Sequence, residues 1–285
     1  MAPLPAEHLT ERQKQLVELG RQYLYPNYRQ PALVFTRGLG SVLWDDAGQR
    51  YLDFYAGIAV SALGHAHPRL VRALSEQAGR LIHVSNYYFN EPNVKLAAEL
   101  CRVTGMDRAF FCNSGTEAIE ASLKLARHHF HLKGETTRLR VIAFKNSFHG
   151  RTLGALAATG QDKYRDGFGE LPNVTHVSYG DARAVHAALA PDVAAILVEP
   201  VQGEGGVLPA PPGFLKELRQ LTNRHGSLLI ADEIQTGVGR TGTFLSMEQQ
   251  GVKADIVALA KGLGGGVPIG AMLCRAALEG ALPPG

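Results

Sequence analysis

Five short segments carry side chains that could do chemistry, and each directly follows a run of apolar residues. Asn113-Ser114-Gly115-Thr116-Glu117-Ala118 follows Ala109-Phe110-Phe111-Cys112 and leads into a helical pattern. The free amides and dipole of a helix start make such a turn an anion site, although Ser114 or Thr116 could equally be an ordinary cap. Lys145 to Thr152, with Phe148 and Arg151, follows Val141-Ile142-Ala143-Phe144. An aromatic and an arginine there suit a planar ligand and a carboxylate or phosphate, or a buried ring and a solvated cation. Glu199 and Glu204 lie in a glycine-rich segment after Ala195-Ile196-Leu197-Val198. They fit acid–base work or the acceptance of loop amides. Asp232 ends the run Leu228-Leu229-Ile230-Ala231, where a carboxylate is costly without a strong partner: a metal, a cation or a protonated ring nitrogen. Lys261 follows Ile256-Val257-Ala258-Leu259 and precedes Gly262 and Gly264-Gly265-Gly266. Burial lowers the pKa of an amine and makes it a nucleophile.

Three other motifs offer competing chemistries and lose on context. Gly237-Val238-Gly239-Arg240-Thr241-Gly242 matches G-x-G-x-x-G, but five residues separate it from the preceding apolar run and no amphipathic helix follows. The Asp232-Glu233 pair at a strand end resembles part of a nucleotide-hydrolysing site, yet the chain holds no G-x-x-x-x-G-K-[ST] loop. His65-Ala66-His67 and His128-His129-Phe130-His131 have no carboxylate or cysteine nearby to complete a metal ligand set, so no metal is expected.

The elements that must position these groups are legible. The runs at 109–112, 141–144, 195–198, 228–231 and 256–259 are apolar on both faces, as buried parallel strands require, and they alternate with helical segments. The expectation is an α/β fold around a mostly parallel sheet, with ligands at the carboxyl ends of its strands. Ahead of it, residues 8–24 carry helical periodicity and residues 33–60 read as a small antiparallel hairpin unit turning at Asp45-Asp46-Ala47-Gly48. The rhythm changes at Pro68, giving helices at 69–82 and 92–104. This predicts an N-terminal α+β segment over residues 1–67 and a large domain over 68–285.

Composition narrows the class. Glycine accounts for 32 of the 285 residues, above the usual share of about 7%. Apolar residues make up 45% and charged residues 19%, which excludes a disordered chain. A net charge of +3 argues for neither a nucleic-acid nor a membrane partner. The N-terminus lacks an apolar leader core, no run approaches the roughly 20 residues of a membrane helix, and the three cysteines lie far apart. The expected location is therefore a reducing cytoplasm.

An anion cradle, an aromatic, an arginine, a carboxylate and a lysine at neighbouring strand ends are what pyridoxal 5'-phosphate needs. The motifs Ser114-Gly115-Thr116-Glu117-Ala118, Phe148-His149-Gly150-Arg151, Glu199-Pro200-Val201-Gln202-Gly203-Glu204-Gly205-Gly206, Asp232-Glu233-Ile234-Gln235-Thr236-Gly237 and Lys261-Gly262 together resemble the class III, ω-amino-acid-type aminotransferases. Gly57-Ile58-Ala59-Val60 and Leu63-Gly64-His65-Ala66-His67-Pro68 bring the resemblance towards the acetylornithine subgroup. It implies the fold-type I, aspartate-aminotransferase-like architecture of the pyridoxal-phosphate transferases. It implies that Lys261 holds the cofactor and moves protons, and that Asp232 pairs with the ring nitrogen. Gln235 would bond the ring hydroxyl, Phe148 stack on the ring, and Ser114, Gly115 and Thr116 hold the phosphate. Arg151 would take the substrate carboxylate distant from the reacting amine, and Glu204 would act as a switch between a basic amino acid and 2-oxoglutarate.

The resemblance also implies a small-molecule amino donor, a homodimer and a place in arginine biosynthesis. Other ω-amine donors (ornithine, succinylornithine, succinyldiaminopimelate, 4-aminobutyrate) and a non-catalytic protein of the same fold are the alternatives. The family also has a threonine-bearing segment shortly after the lysine region, which reaches the partner's phosphate, and a later C-terminal domain with an arginine for Glu204. Neither is found in this sequence, which is expected to be a fragment or truncated product, or to take the missing part from elsewhere. The isolated chain is therefore expected to dimerise poorly and to turn over slowly.

Overall fold

The structure is a computed structural model and describes residues 9–169, 171 and 173–284. The N-terminal stretch read as lacking a leader core lies mostly outside the described residues. Contacts divide the chain into two units that meet between Val84 and Ser85.

The first unit begins with helix α1 (Glu11–Tyr23), opened by a capping box in which Thr10 Oγ1 accepts from Gln13 N–H and the Gln13 side chain accepts from Thr10 N–H. Strands β1 (Phe35–Leu39), β2 (Val42–Asp45) and β3 (Arg50–Leu52) form an antiparallel meander. At its turn the buried Asp45 carboxylate accepts from Gln49 N–H at 2.8 Å and Tyr51 O–H at 3.0 Å. A short turn, α2 (Ala56–Ala59), and helix α3 (Pro68–Ala78) follow. Because α3 belongs to this unit, the change of rhythm at Pro68 marks a change of local structure and not of packing unit.

The second unit holds a seven-stranded sheet. Its elements are α4 (Glu91–Thr104), β4 (Arg108–Cys112), α5 (Gly115–Leu132), β5 (Arg140–Phe144), α6 (Leu153–Ala158), α7 (Asp162–Arg165), β6 (Val174–Val177), α8 (Ala182–Ala188), β7 (Val193–Val198), β8 (Val201–Gln202), β9 (Leu208–Pro209), α9 (Phe214–His225), β10 (Leu228–Asp232), β11 (Ile256–Leu259) and β12 (Gly270–Cys274). The order in the sheet is β4-β12-β11-β10-β7-β5-β6, with β8 and β9 forming a separate small ribbon. Only β12 runs against the others, pairing antiparallel with β11 on one side and β4 on the other. The expected α/β class with a mostly parallel sheet is therefore what the chain forms.

The interior strands β7, β10 and β11 are buried almost throughout, as wholly apolar runs must be. On one face Phe144, Tyr179 and Phe214 meet edge to face at 5.6 Å between centroids. Helix α5 covers the other, burying Ile119, Leu123 and Leu125. Two expectations change. Ala109-Phe110-Phe111-Cys112 is an edge strand with Phe110 46% exposed, because β4 has a neighbour on one side only. Two strands of this sheet were not anticipated, β6 at the far edge and the reversed β12, nor was the β8–β9 ribbon.

The reversal of β12 brings its first residue to the edge where the parallel strands end. Gly270 pairs with Cys112, and a Cβ there would lie 2.2 Å from the Ser114 carbonyl oxygen. We expect Gly270→Ala to destabilise the chain by about 1–3 kcal/mol, seen as a lower urea midpoint; an unchanged midpoint would show that the backbone yields there.

Candidate active site

The carboxyl ends of β4, β5, β7, β10 and β11 lie along one edge of the sheet, so the five chemical segments leave it side by side. The segments after β4, β5, β7 and β10 each touch at least one of the others. At the end of β4, Ser114 caps α5: its Oγ accepts from Glu117 N–H at 3.3 Å and donates to Glu117 Oε2 at 2.9 Å. Ala118 N–H donates to the Ser114 carbonyl. The amides of Gly115 and Thr116 are left as the donors at this helix start. Gly115 is closely packed: a Cβ would lie 2.9 Å from Ile234 Cδ1 and 3.3 Å from Ala260 Cβ. Thr116 is not the cap. Its Oγ1 accepts from Arg151 N–H at 3.3 Å and meets Thr152 Oγ1 at 3.0 Å, tying α5 to the loop after β5.

In that loop Phe148 is half-buried, and its N–H donates to Glu199 Oε2 at 3.2 Å. The next residue, His149, is buried, and its Nδ1 lies 2.6 Å from Asp232 Oδ2. His149 N–H donates to Thr159 Oγ1 at 3.0 Å, while Nε2 is buried without a hydrogen-bond partner. Asp232 Oδ1 accepts from Ile234 N–H at 3.1 Å. Burial alone would push the His149 pKa down. The hydrogen bond and charge of Asp232, with Glu199, outweigh it and hold the imidazole above its ordinary value. Burial acts on Glu199 in the opposite sense and, with the charge of Asp232, raises its pKa to about 8 despite His149 and the Phe148 amide.

Lys261 begins a single 3-10 turn after β11 and has a φ of 46°. Left-handed backbone at a non-glycine residue costs about 1–3 kcal/mol, which the surrounding packing must offset. Burial pushes the Lys261 amine below its usual range, Arg240 adds to the fall, and Asp232, Glu204 and Glu199 draw it part of the way back. Gln235 lies against the backbone of the β7 loop: a Cβ on Gly203 would come 1.8 Å from its Oε1. Glu204 is exposed. Glu233 is a structural group, its carboxylate accepting from Thr236 O–H and, at 2.8 Å, from Met247 N–H. The segment from Gly237 to Gly242 starts no helix, and no cluster that could hold a metal occurs among the described residues.

Residues 23–285 match the Aminotransferase class-III family. The chain belongs to that family. It is 52% identical over 271 residues to an acetylornithine aminotransferase from Myxococcus xanthus, covering 95% of this chain and 68% of that protein. A succinylornithine transaminase from Salmonella paratyphi A is 49% identical, over 93% of this chain and 65% of that protein. The fold also superposes, with a TM-score of 0.92 and 37% identity, on a structure of the ornithine aminotransferase from Toxoplasma gondii described as showing partial occupancy of PLP at its active site; 96% of this chain and 65% of that one are covered. The chain thus spans about two thirds of the length of the relatives it matches.

Of the residues singled out from the sequence, Ser114, Gly115, Thr116, Phe148, Asp232 and Gln235 stand on touching strand-end segments. Lys261 lies within the electrostatic reach of Asp232 and Glu204. Arg151 stands further out, its guanidinium 5.6 Å from the Phe148 ring centre. Sequence reasoning missed His149. Its position beside Phe148, one residue further along a loop that leaves a buried strand, was the available signal.

A folded-state pKa raised above the unfolded value favours folding fully below the unfolded value and loses that contribution as pH rises through the folded one. For Glu199 the window runs from the ordinary carboxyl range to about 8. Glu199→Gln should therefore gain thermal stability relative to the parent as pH rises from 5 to 8, with no further gain above. A pH-independent difference in melting temperature would show that Glu199 does not titrate in this way.

Proposed function

We propose that this chain carries the catalytic core of a pyridoxal-phosphate-dependent transaminase. It moves the terminal amino group of N2-acetyl-L-ornithine to 2-oxoglutarate, giving N-acetyl-L-glutamate 5-semialdehyde and glutamate within arginine biosynthesis. The observation that carries the reading is the buried Asp232 carboxylate, backed by His149 and facing the field of a desolvated Lys261 amine across neighbouring strand ends. The residues present fit the cofactor. A helix start with spare amides suits a phosphate, glycines keep the edge open where a Cβ would collide, and Asp232 has acceptor capacity left beside the bonds from His149 and Ile234. When bound, the cofactor supplies an electron sink for the carbon that loses its proton.

The chain's own groups do the rest. The Gly115 and Thr116 amides would hold the phosphate, with Ser114 capping the helix start that presents them. Asp232 would keep a proton on the ring nitrogen, Gln235 would bond the ring hydroxyl and Phe148 would cover the ring face. Lys261 Nζ would hold the cofactor and take up the proton from the substrate carbon, a task suited to an amine whose pKa burial has lowered. Arg151 binds the distal carboxylate of donor and acceptor, and Glu204 adjusts the site between them. The identity to a succinylornithine transaminase favours succinylornithine as a second donor. The full-length form in this reading is a cytoplasmic homodimer, supported by Tyr87 and Phe89 standing 93% and 96% exposed and by three free cysteines.

Two variants test the assignment. Lys261→Ala should abolish the visible absorbance band that the parent develops with pyridoxal phosphate; an unchanged spectrum would remove Lys261 from its role. Asp232→Asn should keep cofactor binding while turnover with acetylornithine and 2-oxoglutarate falls on the order of a hundredfold or more, the scale of a lost preorganised electrostatic contact. Near-parental turnover would exclude Asp232 as the ring-nitrogen partner.

A further inference from the structure

The guanidinium of Arg151 sits 4.0 Å from the ring centre of Tyr164, closer than to Phe148, and the two rings meet edge to face at 5.9 Å. Among the described residues no carboxylate pairs with Arg151. Its side chain is exposed, so the rings are what hold a long and otherwise free cation in place. Arginine carries up to about 2 kcal/mol of side-chain entropy that any ligand must overcome if nothing has restrained it beforehand.

Tyr164 is well placed to supply that restraint, because its segment is fastened to the loop after β5. Asn146 N–H donates to the Gly160 carbonyl at 2.9 Å. Gly160 N–H reaches the Ser147 carbonyl at 3.1 Å and Ser147 Oγ at 3.0 Å. Thr159 Oγ1 accepts from His149 N–H and donates to the Gly150 carbonyl at 3.2 Å. The approach at Gly160 is so close that a Cβ would lie 1.9 Å from the Phe144 carbonyl oxygen. Tyr164 N–H closes the turn onto the Gln161 carbonyl at 3.0 Å. The ring thus moves with the backbone that carries Phe148, His149 and Arg151. Lys163 Nζ lies 4.7 Å from the same ring centre and adds a second positive charge.

We infer that Tyr164 is a positioning residue that sets selectivity for substrates with a distal carboxylate, by holding the Arg151 guanidinium on its ring face. This rests on the reading of Arg151 as the carboxylate-binding group.

The test compares two 2-oxo acids of equal chain length, 2-oxoglutarate and 2-oxopentanoate, which lacks the distal carboxylate. Their dissociation constants are measured by titration calorimetry with the cofactor-loaded chain, and the ratio isolates the carboxylate contact. The parent should prefer 2-oxoglutarate, and Arg151→Ala should abolish the preference. Tyr164→Leu should reduce it roughly three- to tenfold, the scale of a partly desolvated cation–π contact. Tyr164→Phe, which keeps the ring face, should retain it. If Arg151→Ala leaves the preference intact, the reading of Arg151 fails and the proposal falls with it. If Arg151→Ala abolishes the preference but Tyr164→Leu does not change it, or weakens both ligands equally, the reading survives and the proposal is overturned. A loss in Tyr164→Phe equal to that in Tyr164→Leu would assign the effect to the hydroxyl and also overturn it.

Discussion

A carboxylate held 2.6 Å from a fully enclosed imidazole, at the end of a strand with apolar residues on both faces, sets the terms for the rest of this structure. Burying Asp232 alone would cost several kcal/mol. His149 and the Ile234 amide meet that cost, and their placement constrains two other segments. His149 requires the loop after β5 to fold inward, and Thr159 holds it there through the backbone. The Phe148 amide then falls beside Glu199, so the β7 end is drawn into the same arrangement. The negative potential that results is what partly restores the Lys261 amine against desolvation. The site's electrostatics are therefore one coupled system, and its members cannot be understood as independent groups.

Much of this was legible in the sequence because burial on both faces leaves a distinctive imprint. The runs at 195–198, 228–231 and 256–259 are strands in the sheet interior, and the residues following them are where a doubly covered sheet exposes its strand ends. A cap at Ser114 or Thr116 was likewise visible, since a helix start needs an acceptor and only a few residue types supply one; the structure assigns it to Ser114. What the sequence conceals is what local pattern does not encode. Strand β6 contains Thr175 and His176 and lies at the sheet edge, so it lacks the apolar run that marked its neighbours. Strand β12 is as apolar as any, but strand direction has no signature in periodicity. The partner of Asp232 stands 83 positions earlier in the chain. No window of neighbouring residues could have paired them.

Glycine shows how an ambiguous composition signal acquires meaning. Its excess was consistent with flexible loops, tight turns or close packing. At Gly160 and Gly270 the reason is close approach, since a single carbon would collide with a backbone carbonyl oxygen of an adjoining segment. Gly160 lies against the end of β5 and Gly270 against the Ser114 turn, so both keep open the edge where the parallel strands end. The family's chemistry thus depends on what is missing from those residues as much as on the side chains present elsewhere.

The antiparallel course of β12 has a consequence for how such a chain is made. Strand β4, which leads directly into the Ser114 turn, bonds within the sheet only to β12. During synthesis β4 emerges early, yet its hydrogen-bonding partner arrives some 160 residues later (Met272 opposite Phe110). Until then its backbone edge and the exposed Phe110 face solvent or a chaperone. The edge of the sheet that carries the Ser114 turn is therefore completed only once β12 has been made, long after β4 itself.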